Sequence, residues 1–292
     1  MSDSAAMTRW DTGQVSRVMI ECGRIAMRHF RKSDIELKAD HSIVTAADRE
    51  VERHLDGYFN HPDTGIYLIG EETNEQFDEH YLSRAFKKRA WIVDPIDGTS
   101  PYAHGLCSWG VSIAFMEGGS ITHGAILLPC TGELLITGDD AVYYGREGAN
   151  PEEWRFETLS RLERGTAEGN HVGLVSIPQD VAKRGAYRGP QSVQANGSCV
   201  YAVLHLALRS FLGYIASVKL WDIAAGLAIL DRMGYSMKFP DGTSFGTASV
   251  ASNFLVGPDE VQRWKLKDHG FLAADEATCD YLIANTEFVT GA

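Results

Sequence analysis

The chain has 292 residues, about two domain lengths at roughly 100–200 residues each, with 44% hydrophobic and 23% charged residues. That size and composition bury a core without disulfide or metal staples and exclude a disordered or fibrous chain. Lys and Arg number 27 against 39 Asp and Glu, and the net charge of −12 repels phosphate backbones and anionic lipid, so neither nucleic acid nor a membrane surface is an expected partner.

Val15, Val18, Met19, Cys22, Ile25, Ala26 and Phe30 recur at three- and four-residue steps and predict a long N-terminal helix. A second amphipathic helix carries Ala47, Val51, Leu55, Tyr58 and Phe59. Two short apolar runs, IYLI at 66–69 and WIV at 91–93, end abruptly in acids. From about 108 to 145 the runs VSIAFM, ITHGAILLP, GELLITG and AVYYG, parted by Gly and Pro, read as strands. The polar, Gly-rich segment 146–170 has no sustained period and is taken as the internal boundary. Beyond it VGLVSIP reads as a strand, GSCVYAVLHLAL as a buried helix and FLGYIASV as a strand. WDIAAGLAILDRMG then reads as an apolar helix, and NFLVG as a strand leading to a C-terminal helix. The alternation predicts layered helices and sheets. Residues 1–150 form an N-terminal α+β part and 151–292 a C-terminal α/β part of one compact body.

The five cysteines (Cys22, Cys107, Cys130, Cys199 and Cys279) are scattered with no C-x-x-C pair, which argues against a disulfide framework or structural zinc and fits a reducing cytoplasm. The opening MSDSAAMTRWD lacks a basic segment followed by an apolar run, so no secretory signal is expected. No apolar run approaches the roughly 18 residues of a membrane span.

WIVDPIDGTS, residues 91–100, concentrates the chemistry. Asp94 is expected at the carboxyl end of a buried strand, where open sheets bind ligands. Pro95 turns the chain and brings Asp97 back towards Asp94, and Gly98 permits close backbone approach. Thr99 and Ser100 are positioned to cap a following helix, whose N–H groups attract phosphate. Two hard oxygen ligands beside such a nest suit a phosphate held against Mg²⁺. Asp, Gly and Thr are also routine turn residues, and Asp241, Gly242 and Thr243 repeat the tripeptide with no buried strand before it. Glu71 and Glu72 end another apolar strand, and Asp222 opens a helix after FLGYIASV. Each alone is consistent with a cap or a surface acid. Together they repel: two carboxylates about 4 Å apart cost about 4 kcal/mol at an effective dielectric of 20, so four need cations or protons.

GEE at 70–72, WIVDPIDGTS and WDIAAG at 221–226 resemble, in order and spacing, the inositol monophosphatase family of magnesium-dependent, often lithium-sensitive phosphatases, and the likeness can be followed from about residue 10 to 285. The resemblance implies an αβαβα layered fold, a homodimer, and two or three Mg²⁺ held by Glu71, Asp94, Asp97, Asp222 and the carbonyl of Ile96. It implies that Asp48 pairs with Thr99 and that these two, with Glu71, orient a metal-activated water. Asp97, Gly98, Thr99, Ser100, Gly197, Ser198, Lys219 and Asp222 would meet the substrate. Departures from the family pattern fall at Pro101 and Tyr102, at Gln194, at Ser42 in a metal loop that also carries Lys38, and at Ile215, where inositol-selective relatives carry an acid.

The implied activity is hydrolysis of a small polyol, sugar or alcohol phosphate by metal-activated water. Histidinol phosphate, adenosine 3',5'-bisphosphate and fructose 1,6-bisphosphate are alternative substrates on the same fold. An aspartyl-nucleophile phosphatase is disfavoured, because its D-x-D spacing has one residue between the acids where Asp94 and Asp97 have two. A non-catalytic phosphate binder is the remaining reading, and the joint presence of Asp48, Glu71 and Thr99 argues against it.

Overall fold

The Asp11 carboxylate accepts the Gln14 N–H and starts helix α1 (Thr12–His29), whose stripe of Val15, Val18, Met19, Cys22, Ile25 and Ala26 is buried. Helix α2 (Ala46–Phe59) opens on a capping box between Thr45 and Asp48. The computed structural model describes residues 6–32, 36–37, 43–163 and 173–288, and in it both helices lie on one face of a seven-stranded sheet.

That sheet runs in chain order through β1 (Ile66–Gly70), β2 (Arg89–Asp97), β3 (Gly110–Glu117), β4 (Ser120–Leu128), β5 (Glu133–Thr137), β6 (Val142–Arg146) and β7 (Ser160–Arg161). Only β1 and β2 are parallel, linked by helix α3 (Glu79–Lys87) on the other face; the remaining neighbours are antiparallel. A short helix, α4 (Thr99–Ala103), follows β2. The second sheet comprises β8 (Leu174–Ser176), β9 (Val193–Gln194), β10 (Phe211–Ala216), β11 (Ser236–Lys238) and β12 (Gly270–Ala273), in the order β9-β8-β10-β12-β11. Helices α5 (Cys199–Ala207) and α6 (Leu220–Arg232) fill the space between the sheets, which is why α6 is apolar on nearly every side. Helix α7 (Glu276–Ala284) covers the outer face of the second sheet through Cys279 and Leu282, packed near Val175, Ile215 and Phe271. The result is the expected αβαβα sandwich. No described helix is long and apolar enough to cross a membrane.

Two local expectations are corrected. NFLVG is not a strand: Ser249 caps a helical turn, Val250–Asn253, and Phe254 makes only an isolated bridge to Leu266. The strand that precedes the C-terminal helix is β12, pinned between β10 and β11. Neither Thr99 nor Ser100 caps α4; Gly98 holds the cap position and Thr99 is the first helical residue. The second DGT is a turn, although the expectation that no buried strand precedes it is corrected: β11, buried at Met237 and Lys238, ends just before it. Asp241 there accepts hydrogen bonds from the N–H and hydroxyl of Thr243, at 2.9 and 2.6 Å.

Candidate active site

Because β1 and β2 are parallel and in register, Gly70 lies level with Val93. The next residue of each chain, Glu71 and Asp94, therefore emerges at the same sheet edge. Asp222, in the first turn of α6, reaches it from the middle layer. One carboxylate oxygen from each of Glu71, Asp94 and Asp222 lies within 4.8 Å of the other two.

Strand β2 does not stop at Asp94. It bulges at Pro95 and Ile96, so that Asp94 pairs with Ser112 while Asp97 pairs with Gly110. The Ile96 N–H turns back to Asp94 Oδ1 at 3.0 Å. Asp97 points its Oδ2 at the N-terminus of α5, accepting the Ser198 hydroxyl and, at 2.8 Å, the Val200 N–H. Gly98 then takes φ +87°, open to glycine, with Ser108 O only 2.9 Å from where a Cβ would sit. The Thr99 hydroxyl lies 3.0 Å from Ile96 O and 3.4 Å from Asp48 Oδ1. Asp48 Oδ2 is occupied by the Thr45 N–H at 2.8 Å and hydroxyl at 2.6 Å.

Burial raises the pKa of Asp94 well above the carboxylate range, and the neighbouring Glu71, Asp97, Asp222 and Asp48 add to the shift. Burial lifts Asp97 to about 6 against the hydrogen bonds from Ser198 and Val200. Asp222 rises to about 8, through burial and then the charges of Asp97 and Glu71. Burial takes Asp48 to about 7 despite its bonds to Thr45. Among the described residues no lysine or arginine forms a salt bridge with Asp94. Converging hard oxygen donors whose ionised forms disfavour one another fit a divalent cation such as Mg²⁺.

The remaining substrate positions implied by resemblance divide. Gly197, Ser198, Asp97 and Asp222 line a cavity of about 360 Å³ with Tyr214 and Lys265. Lys219 and Asp222 line a second, of about 970 Å³, with Glu71 and Trp221. The Lys219 N–H caps Asp222 Oδ2 at 2.7 Å, and its ammonium lies 5.5 Å from the Trp221 ring centre. The Ser198 hydroxyl is already committed, donating to Asp97 and accepting from the Tyr201 N–H. Ser100 is exposed and lines neither cavity.

The departures acquire physical reasons. Tyr102 is buried between Phe30 and Trp109, and its hydroxyl donates to Ala26 O at 2.8 Å, tying α4 to α1. Ile215 is fully buried in the apolar layer beneath α7. Gln194 is an exposed residue of the edge strand β9. Lys38 and Ser42 lie outside the described residues.

Sequence reasoning missed Glu52. It is 1% exposed, and its carboxylate accepts the Glu72 N–H at 2.8 Å and the Thr73 hydroxyl at 2.5 Å, gripping the turn that carries Glu71. Burial raises it to about 7. The available signal was its place four residues after Asp48, between Val51 and Leu55 on the buried side of α2.

Comparison with known proteins bears on the family and the fold. The chain is 27% identical over 263 residues to a fructose-1,6-bisphosphatase/inositol-1-monophosphatase of Thermotoga maritima, spanning 84% of this chain and 92% of that one. A histidinol-phosphatase of Chlorobaculum parvum is 34% identical over 118 residues, 39% of this chain and 42% of its own. The solved structure of a Thermotoga maritima IMPase superposes with a TM-score of 0.65 at 20% identity, over 93% of this chain and 97% of that one, and so shares the fold. The model of the inositol monophosphatase family matches residues 7–287, nearly the whole chain, and the protein belongs to that family of phosphatases.

Proposed function

We propose that this protein is a Mg²⁺-dependent phosphomonoesterase that hydrolyses a small polyol, sugar or alcohol phosphate. The observation that carries the reading is the convergence of Glu71, Asp94 and Asp222 within 4.8 Å at one edge of the sandwich. Those three, with Asp97 and the Ile96 carbonyl, are the groups to hold two or three ions. Bound there, Mg²⁺ supplies charge to polarise the phosphoryl oxygens, activates water and stabilises the leaving alkoxide.

The chain's own groups do the positioning. Thr99, between Ile96 O and Asp48, accepts a hydrogen bond from the attacking water, and Glu71 orients that water from the β1 side. The N–H groups after Gly98 and the Thr99 and Ser100 hydroxyls meet the phosphate. Gly197, Ser198, Lys219 and Asp222 border the two cavities that receive the alcohol. Ile215, buried away from those cavities, offers a polyol no hydrogen bond, so histidinol phosphate, adenosine 3',5'-bisphosphate and fructose 1,6-bisphosphate stand beside inositol phosphate as candidates. A cytoplasmic homodimer belongs to the same reading, and sedimentation at working concentration tests the dimer.

The test is a panel of phosphorylated metabolites with Mg²⁺, using Asp94→Asn as the control. Expected is Mg²⁺-dependent phosphate release by the wild type and none by the variant, with circular dichroism unchanged. Near-wild-type turnover by Asp94→Asn would sink the proposal.

A further inference from the structure

Strands β3 and β4 form a hairpin whose pairing runs out at Val111 opposite Leu127. Cys107 lies four residues before that pair and Cys130 three residues after it, so the register leads both to the open end of the hairpin. There Cys107 lies near enough to Cys130 to help raise the pKa of its thiol. Cys107 is exposed and Cys130 half-buried, whereas Cys22, Cys199 and Cys279 are buried. A further observation points to the same spot. The indole N–H of Trp109, two residues after Cys107, is buried without a hydrogen-bond partner among the described residues, and Trp109 acts on the Cys130 thiol. The guanidinium of Arg31, anchored by two hydrogen bonds to Gly105 O, also acts on Cys130.

We propose that Cys107 and Cys130 form an oxidation site, at which a hydroperoxide converts the two thiols into a reversible intramolecular disulfide. The thiolate of the exposed Cys107 attacks the peroxide; an S–O bond forms, the O–O bond breaks, and the leaving oxygen departs as hydroxide. The Cys130 sulfur then attacks the Cys107 sulfenic acid; the S–S bond forms, the S–O bond breaks, and the leaving oxygen takes up the Cys130 proton as water. Two thiols and one hydrogen peroxide give one disulfide and two waters. Burial, and the proximity of Cys107, hold the Cys130 thiol protonated in the reduced protein, which makes Cys107 the first to react.

The site is wired to the acids by one residue. Ser108 follows Cys107; its hydroxyl donates to Asn196 O at 3.1 Å, and its carbonyl backs Gly98. Drawing the sulfurs into a bond shifts this backing of the Gly98 turn. The consequence for turnover rests on the phosphatase reading above, whereas bridge formation does not.

Full-length protein treated with hydrogen peroxide, alkylated and mapped without reduction tests the proposal. Expected is a peptide pair joined through Cys107 and Cys130, released by dithiothreitol and absent from C107S and C130S. In C130S, which must melt as the wild type does, dimedone should trap a sulfenic acid on Cys107. Oxidation of Cys107 alone in the wild type, or a bridge joining two copies of the chain, overturns the proposal. With p-nitrophenyl phosphate and Mg²⁺, peroxide should slow the wild type several-fold and reversibly but not C130S. A mapped bridge with unchanged turnover overturns the coupling to the acids, while absence of any phosphatase activity from the reduced protein counts against the functional reading and leaves the mapping result standing.

Discussion

The Glu52 carboxylate accepts the backbone N–H of Glu72 at 2.8 Å, so a helix beneath the large sheet governs where the chain goes as it leaves β1. Glu52→Ala strands that partly buried N–H and frees the Thr73 hydroxyl, at a cost of about 1–3 kcal/mol for each group left unsatisfied. The expected result is a lower urea midpoint together with a higher Mg²⁺ concentration for half-activation. Glu52→Gln, which keeps one acceptor oxygen, should fall between the two.

Gly70 tests the same contact from the other side. A Cβ there would lie 2.3 Å from Glu52 Oε1, closer than side-chain carbons come to oxygen. Gly70→Ala should destabilise the protein and impair Mg²⁺ activation. Because Glu52→Ala removes the clash partner, the double variant should lose less than the sum of the singles in a double-mutant cycle.

Much of this site was legible because strand-end acids break the pattern around them. Asp94 and Glu71 follow wholly apolar runs, so their positions at a sheet edge could be read directly. Glu52 could not be read that way. In a helix of charged and apolar residues an acid looks like part of the solvated face, and only the exact rotation of α2 against β1 buries it. The strand β12 was hidden for a different reason: four residues, GFLA, are too short for a period, and their pairing partners lie far away in sequence. NFLVG carries the apolar residues of a strand, yet Ser249 provides a local cap that directs it into a helical turn.

Thr99→Val removes the hydroxyl between Ile96 O and Asp48 with little change in volume. If that hydroxyl orients the attacking water, kcat should fall about 100-fold, the lower range for loss of a proton-handling group, with KM nearly unchanged. Steady-state kinetics on any accepted ester separates the two parameters.

The metal-free protein should lose stability as pH rises from 6 to 8. Asp97, Asp48, Glu52 and Asp222 have folded-state values raised to about 6, 7, 7 and 8. In the unfolded chain the same groups ionise near 4. Their protonated forms are favoured by the fold, so the stability they contribute is complete below about pH 4 and is lost as pH rises through the folded values. Thermal melts in EDTA at pH 6, 7 and 8 should show the decline. Excess Mg²⁺ should flatten it, since a bound cation favours the ionised acids.

Ser198→Ala removes both the N-cap of α5 and a donor to Asp97. A loss of about 1 kcal/mol is expected for the cap. The freed Asp97 oxygen should also alter the Mg²⁺ dependence, which calorimetric titration of the folded variant can read.

The bond from Ser198 to Asp97 joins residues 101 positions apart, and Asp222 lies farther still along the chain. In a polypeptide emerging from the ribosome, the residues of the large sheet therefore appear before Asp222 does. A chain ending before α6 lacks Asp222, and with it both the third carboxylate of the cluster and the helix that packs between the two sheets. Completion of the acidic cluster therefore depends on residues from both halves of the chain.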